Sequence, residues 1–262
     1  MLSIIITHHK TPVMLRLCLK AIRENIVDIA HEIIITDSEA DFESQNSIKG
    51  EFSQIDFTFF PKNVGYAKLV NAGIKKSKGN YVLILNADII VAKDSISKMI
   101  DYMESNPNTG LIGPKLLTFS NQAQNSCFRF PDLGAVLARR TLLGKSIWGR
   151  AKLNYFLIKD KNLSLPTKVD WLQGSAIMAR REAIDKIGLM DERFFMYLED
   201  TDWCRRFWEN NYQVIYFPGA QVFHYYYRAS KKWGNFLDIF LNKYTQIHLL
   251  STFKYFWKWK MS

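Results

Sequence analysis

Short isoleucine-rich runs alternate with amphipathic stretches through the first half of the chain. Leu2–Thr7 and Glu32–Asp37 read as strands buried on both faces, because their apolar positions are contiguous rather than alternating. Between them, Pro12–Asn25 carries Leu15, Leu17, Leu19 and Ile22, with Ile26 just beyond, distributed as in a packed helix. Asp56–Phe60 predicts a third strand. Val64–Ser77 predicts a helix, closed by Lys75, Lys76 and Lys78 with Gly79 beyond. Tyr81–Leu85 predicts a fourth strand running into Asn86-Ala87-Asp88, and Asp94 is placed to cap a helix to about Ser105. Such repetition implies an α/β fold with a mostly parallel central sheet flanked by helices.

The second half is less regular. Residues 119–168 predict irregular structure or short helices in the most basic stretch of the middle, with Arg139, Arg140, Lys145, Arg150 and Lys152. Order returns at Val169–Arg180. Glu182–Ile187 predicts a short helix ended by Gly188, and Asp200–Asn210 a longer one closed by Asn211 in the left-handed conformation. Strands follow at Gln213–Phe217 and near Ala220–His224. From Trp233, the residues Phe236, Leu237, Phe240, Tyr244 and Ile247 recur at helical spacing, and Phe253 to Lys260 mixes aromatics with lysines.

Composition narrows the classes. At 262 residues and 48% hydrophobic, the chain suits one large domain with a short appendage. A net charge of +10 favours anionic partners: nucleotide phosphates, nucleic acid or an acidic membrane surface. Cys18, Cys127 and Cys204 are far apart and form no CxxC pair, which argues against a disulfide framework or structural zinc and for a reducing cytoplasm. The opening MLSIIITHHKTP reads as a first strand rather than a leader. No segment approaches the roughly 18 uninterrupted apolar residues of a membrane span, so a soluble or peripheral protein is expected.

Ligands of open parallel sheets bind beyond the carboxyl ends of the strands, where Asp37 and Asp88 both fall. Asp88 is a candidate metal ligand; an Asp there also serves as a turn residue or helix cap. Glu199, Asp200 and Asp202 open a helix, where acids complement the macrodipole without any catalytic role, and Asp202 is spaced to pair with Arg206. His224 closes a strand and is either a late metal ligand or a structural residue. Departure of a diphosphate would call for a divalent cation on hard oxygen ligands, and an incoming hydroxyl for a carboxylate base.

Taken in order, the motifs resemble the family 2 glycosyltransferases, inverting enzymes of the GT-A fold, and particularly their rhamnosyltransferase-like bacterial branch. The motifs are Ser3–Thr7, Glu32–Asp37, Asn63–Lys68 with Asn71-Ala72-Gly73, Gly79–Asp88, Gly174–Ala176, Phe194–Arg206, and His224 with Ser230. The resemblance implies a GT-A domain over 1–230, with a nucleotide-sugar-binding half at 1–118 and an acceptor and catalytic half at 119–230. A C-terminal amphipathic helical extension, aromatic and basic, would occupy 231–262. It implies Asp200 as catalytic base with Glu199 beside it, and Asp88 with His224 as ligands of Mn²⁺ or Mg²⁺. Thr7, Asp37, Asn63, Gly65, Lys68, Asn71, Asn86, Ala87 and Asp88 would bind the nucleotide sugar, Asp37 beside the pyrimidine. Trp171, Gln173 and Gly174 would form the acceptor floor, an indole face suiting a sugar ring. The donor implied is dTDP-rhamnose or a UDP-hexose, and the acceptor a glycan on polyprenyl diphosphate. The C-terminus would either pack on the domain or touch the inner face of the cell membrane.

Three positions depart from the family pattern. His8-His9 stand in the first pocket loop, Asp37-Ser38-Glu39-Ala40-Asp41 replaces the common arrangement after the second strand, and Asn86 replaces the first acid of an Asp-x-Asp. Other readings fit less well. A nucleotidylyltransferase or dinucleotide enzyme needs a glycine-rich loop after the first strand, and Thr7-His8-His9-Lys10-Thr11 has no glycine. A non-catalytic nucleotide-sugar-binding subunit remains the alternative. No recognition motif supports nucleic-acid binding.

Overall fold

The isoleucine runs become the central strands. In the computed structural model, which describes residues 1–39, 42–52, 54–225 and 242–259, β1 (Leu2–His8) is buried along its whole length. Leu2, Ile4 and Ile6 enter one hydrophobic core while Ile5 enters the other, on the opposite face. Each such side chain contributes roughly 1.5–3 kcal/mol relative to exposure, so slipping β1 by one residue would be costly. Parallel register sets β1 between β2 (His31–Ser38) and β4 (Tyr81–Asn86), and β3 (Ile55–Phe60) extends the sheet beyond β2.

The first helix, α1 (Pro12–Asn25), opens on a proline whose missing N–H has no partner to lose there. It buries Leu15, Cys18, Leu19 and Ile22 against one face of the sheet. Residues 42–51 form α2 (Phe42–Glu51), for which the sequence reading has no element. The opposite face is covered by α3 (Tyr66–Lys76) through Ala67, Val70 and Ile74. After β5 (Ile89–Val91) comes α4 (Ser95–Ser105). Asp94 sits at its N-cap with φ 59°, and its carboxylate makes no capping bond. Its backbone carbonyl accepts from Ser97 Oγ and Lys98 N–H instead.

The rest of the sheet is mixed. β6 (Thr109–Leu117), also without a counterpart in the sequence reading, runs parallel to β11 (Gln213–His224). β10 (Ala176–Arg180) runs antiparallel between β4 and β6. The order is β3-β2-β1-β4-β10-β6-β11-β5, with β8 (Thr167–Lys168) on β11. The two late strands expected around Pro218 are thus one: a register shift between Phe217 and Gln221 absorbs Pro218 and Gly219 as a bulge.

Between β6 and β10 the chain forms β7 (Cys127–Phe128), α5 (Leu133–Arg140), a 3-10 turn at Leu142–Lys145, α6 (Ile147–Phe156) and β9 (Trp171–Leu172), which pairs with β7. These are the short helices expected there. Their starts carry ordinary caps: Asp132 Oδ1 accepts from Ala135 N–H at 2.6 Å and Ser146 Oγ from Gly149 N–H at 3.0 Å. Then follow α7 (Arg181–Ile187), ended by Gly188 at φ 88°, and α8 (Glu199–Glu209), after which Asn211 takes φ 64°. The last element is α9 (Lys243–Trp259). Trp233, Phe236, Leu237, Phe240, Ser230 and Lys260 lie outside the described residues, as do Ala40 and Asp41. Among the described residues no helix is long and apolar enough to cross a membrane.

Candidate active site

The end of β4 is stapled on both sides. Thr7 Oγ1 donates to Asn86 Oδ1 at 3.0 Å, Ala87 N–H to Thr7 O at 3.0 Å, and Asn86 N–H to Ser175 O at 2.9 Å. Ala87 is buried, while the Asp88 side chain stays 30% exposed at the sheet's carboxyl edge. Across from it, Asp88 Oδ2 lies 3.7 Å from His224 Nε2. Tyr225 N–H donates to the Asp88 carbonyl at 3.1 Å, which locks the end of β11 beside this triplet.

Gln124 decides the state of His224. Its Nε2 donates to the His224 carbonyl at 3.0 Å, and that leaves Oε1 facing His224 Nδ1 at 2.9 Å. An amide oxygen only accepts, so Nδ1 carries the proton and Nε2 presents a lone pair toward Asp88. Burial lowers the His224 pKa against the opposing pull of Asp88, and burial raises that of Asp88. The imidazole and the carboxyl face each other at 3.7 Å, and among the described residues the buried Asp88 Oδ1 has no hydrogen-bond partner. An imidazole and a carboxylate so disposed fit a divalent cation. Among the described residues no cluster of three or more His, Cys, Asp or Glu forms a closed metal cage, so the remaining ligands would come from elsewhere.

The acid at 200 is held by backbone. Asp200 Oδ2 accepts from Gly174 N–H at 2.9 Å, and Oδ1 from Thr201 N–H at 2.7 Å and Thr201 Oγ1 at 3.3 Å. Burial raises its pKa, and these donors oppose the rise. Beside it Glu199 is buried, with Oε2 unpartnered among the described residues; burial and then the Asp200 charge push it well above the usual carboxylate range. Tyr66 ties the two halves together: its hydroxyl donates to the Gly174 carbonyl. Its phenol pKa is raised by burial and then by the charges of Glu199, Asp200 and Asp88. Asp88 and Asp200 thus act on the same ring.

At the other end, β1 and β2 are in register at His8 and Asp37. His8 Nδ1 lies 2.9 Å from Asp37 Oδ2, and His8 Nε2 accepts from Thr11 N–H at 3.0 Å. Among the described residues the buried Asp37 Oδ1 has no hydrogen-bond partner. One step outward, His9 Nε2 lies 2.9 Å from Glu39 Oε2 and 3.5 Å from Asn63 Nδ2. The first two of the three departures from the family pattern are therefore one feature, two histidines set against two acids.

Several expected pocket residues are placed differently. Asn71 is buried; its side chain donates to Met190 O at 2.8 Å and Glu192 Oε1 at 3.0 Å and accepts from Met190 N–H at 2.9 Å. It clamps the 190–192 loop rather than lining the pocket, because every donor and acceptor is taken by that loop. Trp171 is also interior. Its ring stacks on Phe128 at 4.4 Å and its Nε1 donates to Arg129 O at 2.9 Å, so the face expected to meet a sugar meets Phe128. Gln173 is half-buried and Gly174 buried beside Asp200 and Tyr66. Lys68 is exposed, 6.0 Å over the Phe60 ring.

Gly65 has a stricter role. At φ 83° it lets Tyr66 N–H donate to Phe195 O at 2.7 Å, and an added Cβ would stand 2.2 Å from that same oxygen. Gly65→Ala is expected to lower the melting temperature by several degrees through strain of about 1–3 kcal/mol, measured by calorimetry; an unchanged melting temperature would remove this constraint.

Asp202 is not part of the site. It is fully buried and bonded to Arg206 Nε at 3.1 Å, Lys258 Nζ at 2.7 Å and Trp259 Nε1 at 3.0 Å. Asp191 also takes Lys258, at 2.9 Å. Tyr255 is buried, and Ser251 Oγ donates to Met196 O at 2.9 Å, so α9 lies against the segment that leads into Glu199 and Asp200.

The glycosyl transferase family 2 model matches residues 3–188. The chain is 28% identical over 176 residues to an N-acetylglucosaminyl-diphospho-decaprenol L-rhamnosyltransferase of Mycobacterium tuberculosis, covering 62% of this chain and 56% of that one. It is 28% identical over 180 residues to rhamnosyltransferase WbbL of Escherichia coli, covering 67% of this chain and 61% of that one. The chain thus spans little more than half the length of these relatives. A crystal structure of GalNAc-T7 with UDP, GalNAc and Mn²⁺ superposes with a TM-score of 0.66 at 15% identity, covering 87% of this chain and 43% of that one. The sheet order and its flanking helices are those of the GT-A fold.

Proposed function

Because the chain belongs to glycosyl transferase family 2, we propose that it transfers a sugar, rhamnose or a hexose, from a nucleotide-diphosphate donor to an acceptor hydroxyl with inversion at the anomeric carbon. One observation carries this reading: the facing groups Asp88 and His224 are tied to the carboxylate of Asp200 through adjacent residues, Asn86 N–H donating to Ser175 O and Gly174 N–H to Asp200.

Asp37, with a buried unpartnered oxygen, offers an acceptor to the imide N–H of a pyrimidine base. Asp88 and His224 would hold Mn²⁺ or Mg²⁺. When bound, the cation neutralises negative charge on the departing diphosphate. Asp200 takes the proton of the acceptor hydroxyl as its oxygen attacks from the face opposite the leaving group. Gly174 and Thr201 keep its carboxylate aimed, and Tyr66 fixes the Gly174 peptide from the other side. Gln173 and Gly174 form the acceptor floor, with Trp171 supporting it from within. The relatives' names support rhamnose as the sugar, dTDP as its carrier and a polyprenyl-diphosphate-linked glycan as acceptor.

A thermal-shift screen of nucleotide sugars with and without Mn²⁺ tests the assignment, since a ligand at a hundred times its Kd stabilises by about 2.7 kcal/mol. The expected result is a metal-dependent shift with a pyrimidine diphosphate sugar, largely lost in Asp88→Ala. Identical shifts in the two proteins would remove Asp88 from metal binding, and the absence of any shift would remove the donor class.

A further inference from the structure

The hairpin of α5, the 3-10 turn and α6 carries none of the candidate site residues, yet it exposes more large apolar side chains than any other stretch of the described residues. At its tip Ile147 is 85% and Leu142 78% exposed, with Leu143 and Trp148 about half exposed beside them. The tip is closely built: a Cβ on Gly149 would stand 1.9 Å from Leu143 O, so the backbone turns tightly and these side chains project outward. From Leu133 to Lys159 the chain has no Asp or Glu and six Lys or Arg. Lys145 and Arg150 are exposed around the tip. Leaving Leu, Ile and Trp together in water is costly, and the fold does not cover them.

We propose that this hairpin is the surface by which the protein lies on an anionic lipid bilayer, with the aliphatic tip and Trp148 at the acyl boundary and Lys145 and Arg150 among the headgroups. A projecting apolar tip ringed by cations, with no carboxylate to fix an orientation, suits a laterally uniform anionic surface. It suits less well the fixed donors and acceptors of a protein partner. The hairpin is also joined to the acceptor side of the site. Phe156, the last residue of α6, stacks on Phe128 at 5.3 Å, and Phe128 on Trp171, whose strand leads into Gln173 and Gly174. A molecule resting on this tip would hold that side of the site at a fixed height above the lipid.

Among the described residues of the C-terminal stretch the same combination is not found. Leu250, Phe253 and Trp257 are exposed on α9, but the lysines among them are engaged: Lys254 donates to Arg193 O, and Lys258 pairs with Asp191 and Asp202.

Flotation of the full chain, without donor or acceptor, separates these surfaces. Phosphatidylcholine vesicles with about one third phosphatidylglycerol should carry the protein and pure phosphatidylcholine should not. Leu142→Glu with Ile147→Glu, and separately Lys145→Glu with Arg150→Glu, should lower the bound fraction roughly tenfold at unchanged melting temperature. Phe253→Ser with Trp257→Ser should float like the parent. Three results would overturn the proposal: no binding of the parent to anionic vesicles, hairpin variants that float like the parent, or hairpin variants that only dissociate a dimer of the parent. None of them touches the transferase assignment, since no substrate is present.

Discussion

Asp200→Asn should lower kcat by about two to four orders of magnitude, the range for loss of a general base, while donor affinity holds. The amide keeps one oxygen for Gly174 N–H or Thr201 N–H and sets its NH2 against the other, so proton acceptance is removed together with one of the two backbone bonds that orient the side chain. Steady-state kinetics with calorimetric donor titration check both halves. A kcat within a few-fold of the parent would take Asp200 out of the role. The parent's pH profile carries a second signature. Burial raises the Asp200 pKa, so the base is protonated over a wider acidic range than an ordinary carboxylate. Activity should fall on acidification at a higher pH than usual for Asp, as a property of the Glu199–Asp200 pair.

Lys258→Ala should destabilise the fold by about 2–3 kcal/mol, since it leaves part of a buried charge uncompensated. Asp202 is fully buried and keeps Arg206 and Trp259, which holds the cost below that of an isolated buried ion. The melting temperature should drop by roughly 5–10 °C. A drop below a degree would mean that α9 is not a structural member of the domain. The acid side of the stability curve should change too. Asp191 is held well below the usual carboxylate range by Arg193 and then by Lys258. A depressed pKa contributes stability that is present above the unfolded value and lost as pH falls toward the folded one. Without Lys258 that acid-side loss should be smaller.

What the sequence disclosed follows from how each feature is encoded. β1, β2, β4, α1 and α8 are written in contiguous apolar runs or helical periods, and their bounds are legible to within a residue or two. α2 is weakly amphipathic (Phe42-Glu43-Ser44-Gln45-Asn46-Ser47-Ile48), so local pattern does not announce it. β6 contains Gly110, Gly113 and Pro114, which read as loop; it is a strand because β10 and β11 pair with it. The acids and His224 were legible as residue types at strand and helix ends. Their supports were not. Gln124, a hundred residues from His224, sits in a stretch with no motif, and only the fold brings its amide to the imidazole. The pairing of His8 with Asp37 needs strand register, although two histidines at one strand end and two acids at the next were a usable hint. Asn71 and Trp171 misled because polar and aromatic side chains near a site also serve as internal braces.

The start of α8 has a consequence for turnover. Tyr197 and Leu198 both take positive φ, 71° and 68°, immediately before Glu199 and Asp200. Neither is glycine, and each such residue costs about 1–3 kcal/mol that the surrounding packing must offset. The helix therefore begins abruptly instead of fraying into a mobile first turn, and its two acids leave a rigid origin. With Asp200 as the proposed base, the entropy of locating it is surrendered once, when the polypeptide folds, and need not be lost again in each catalytic cycle.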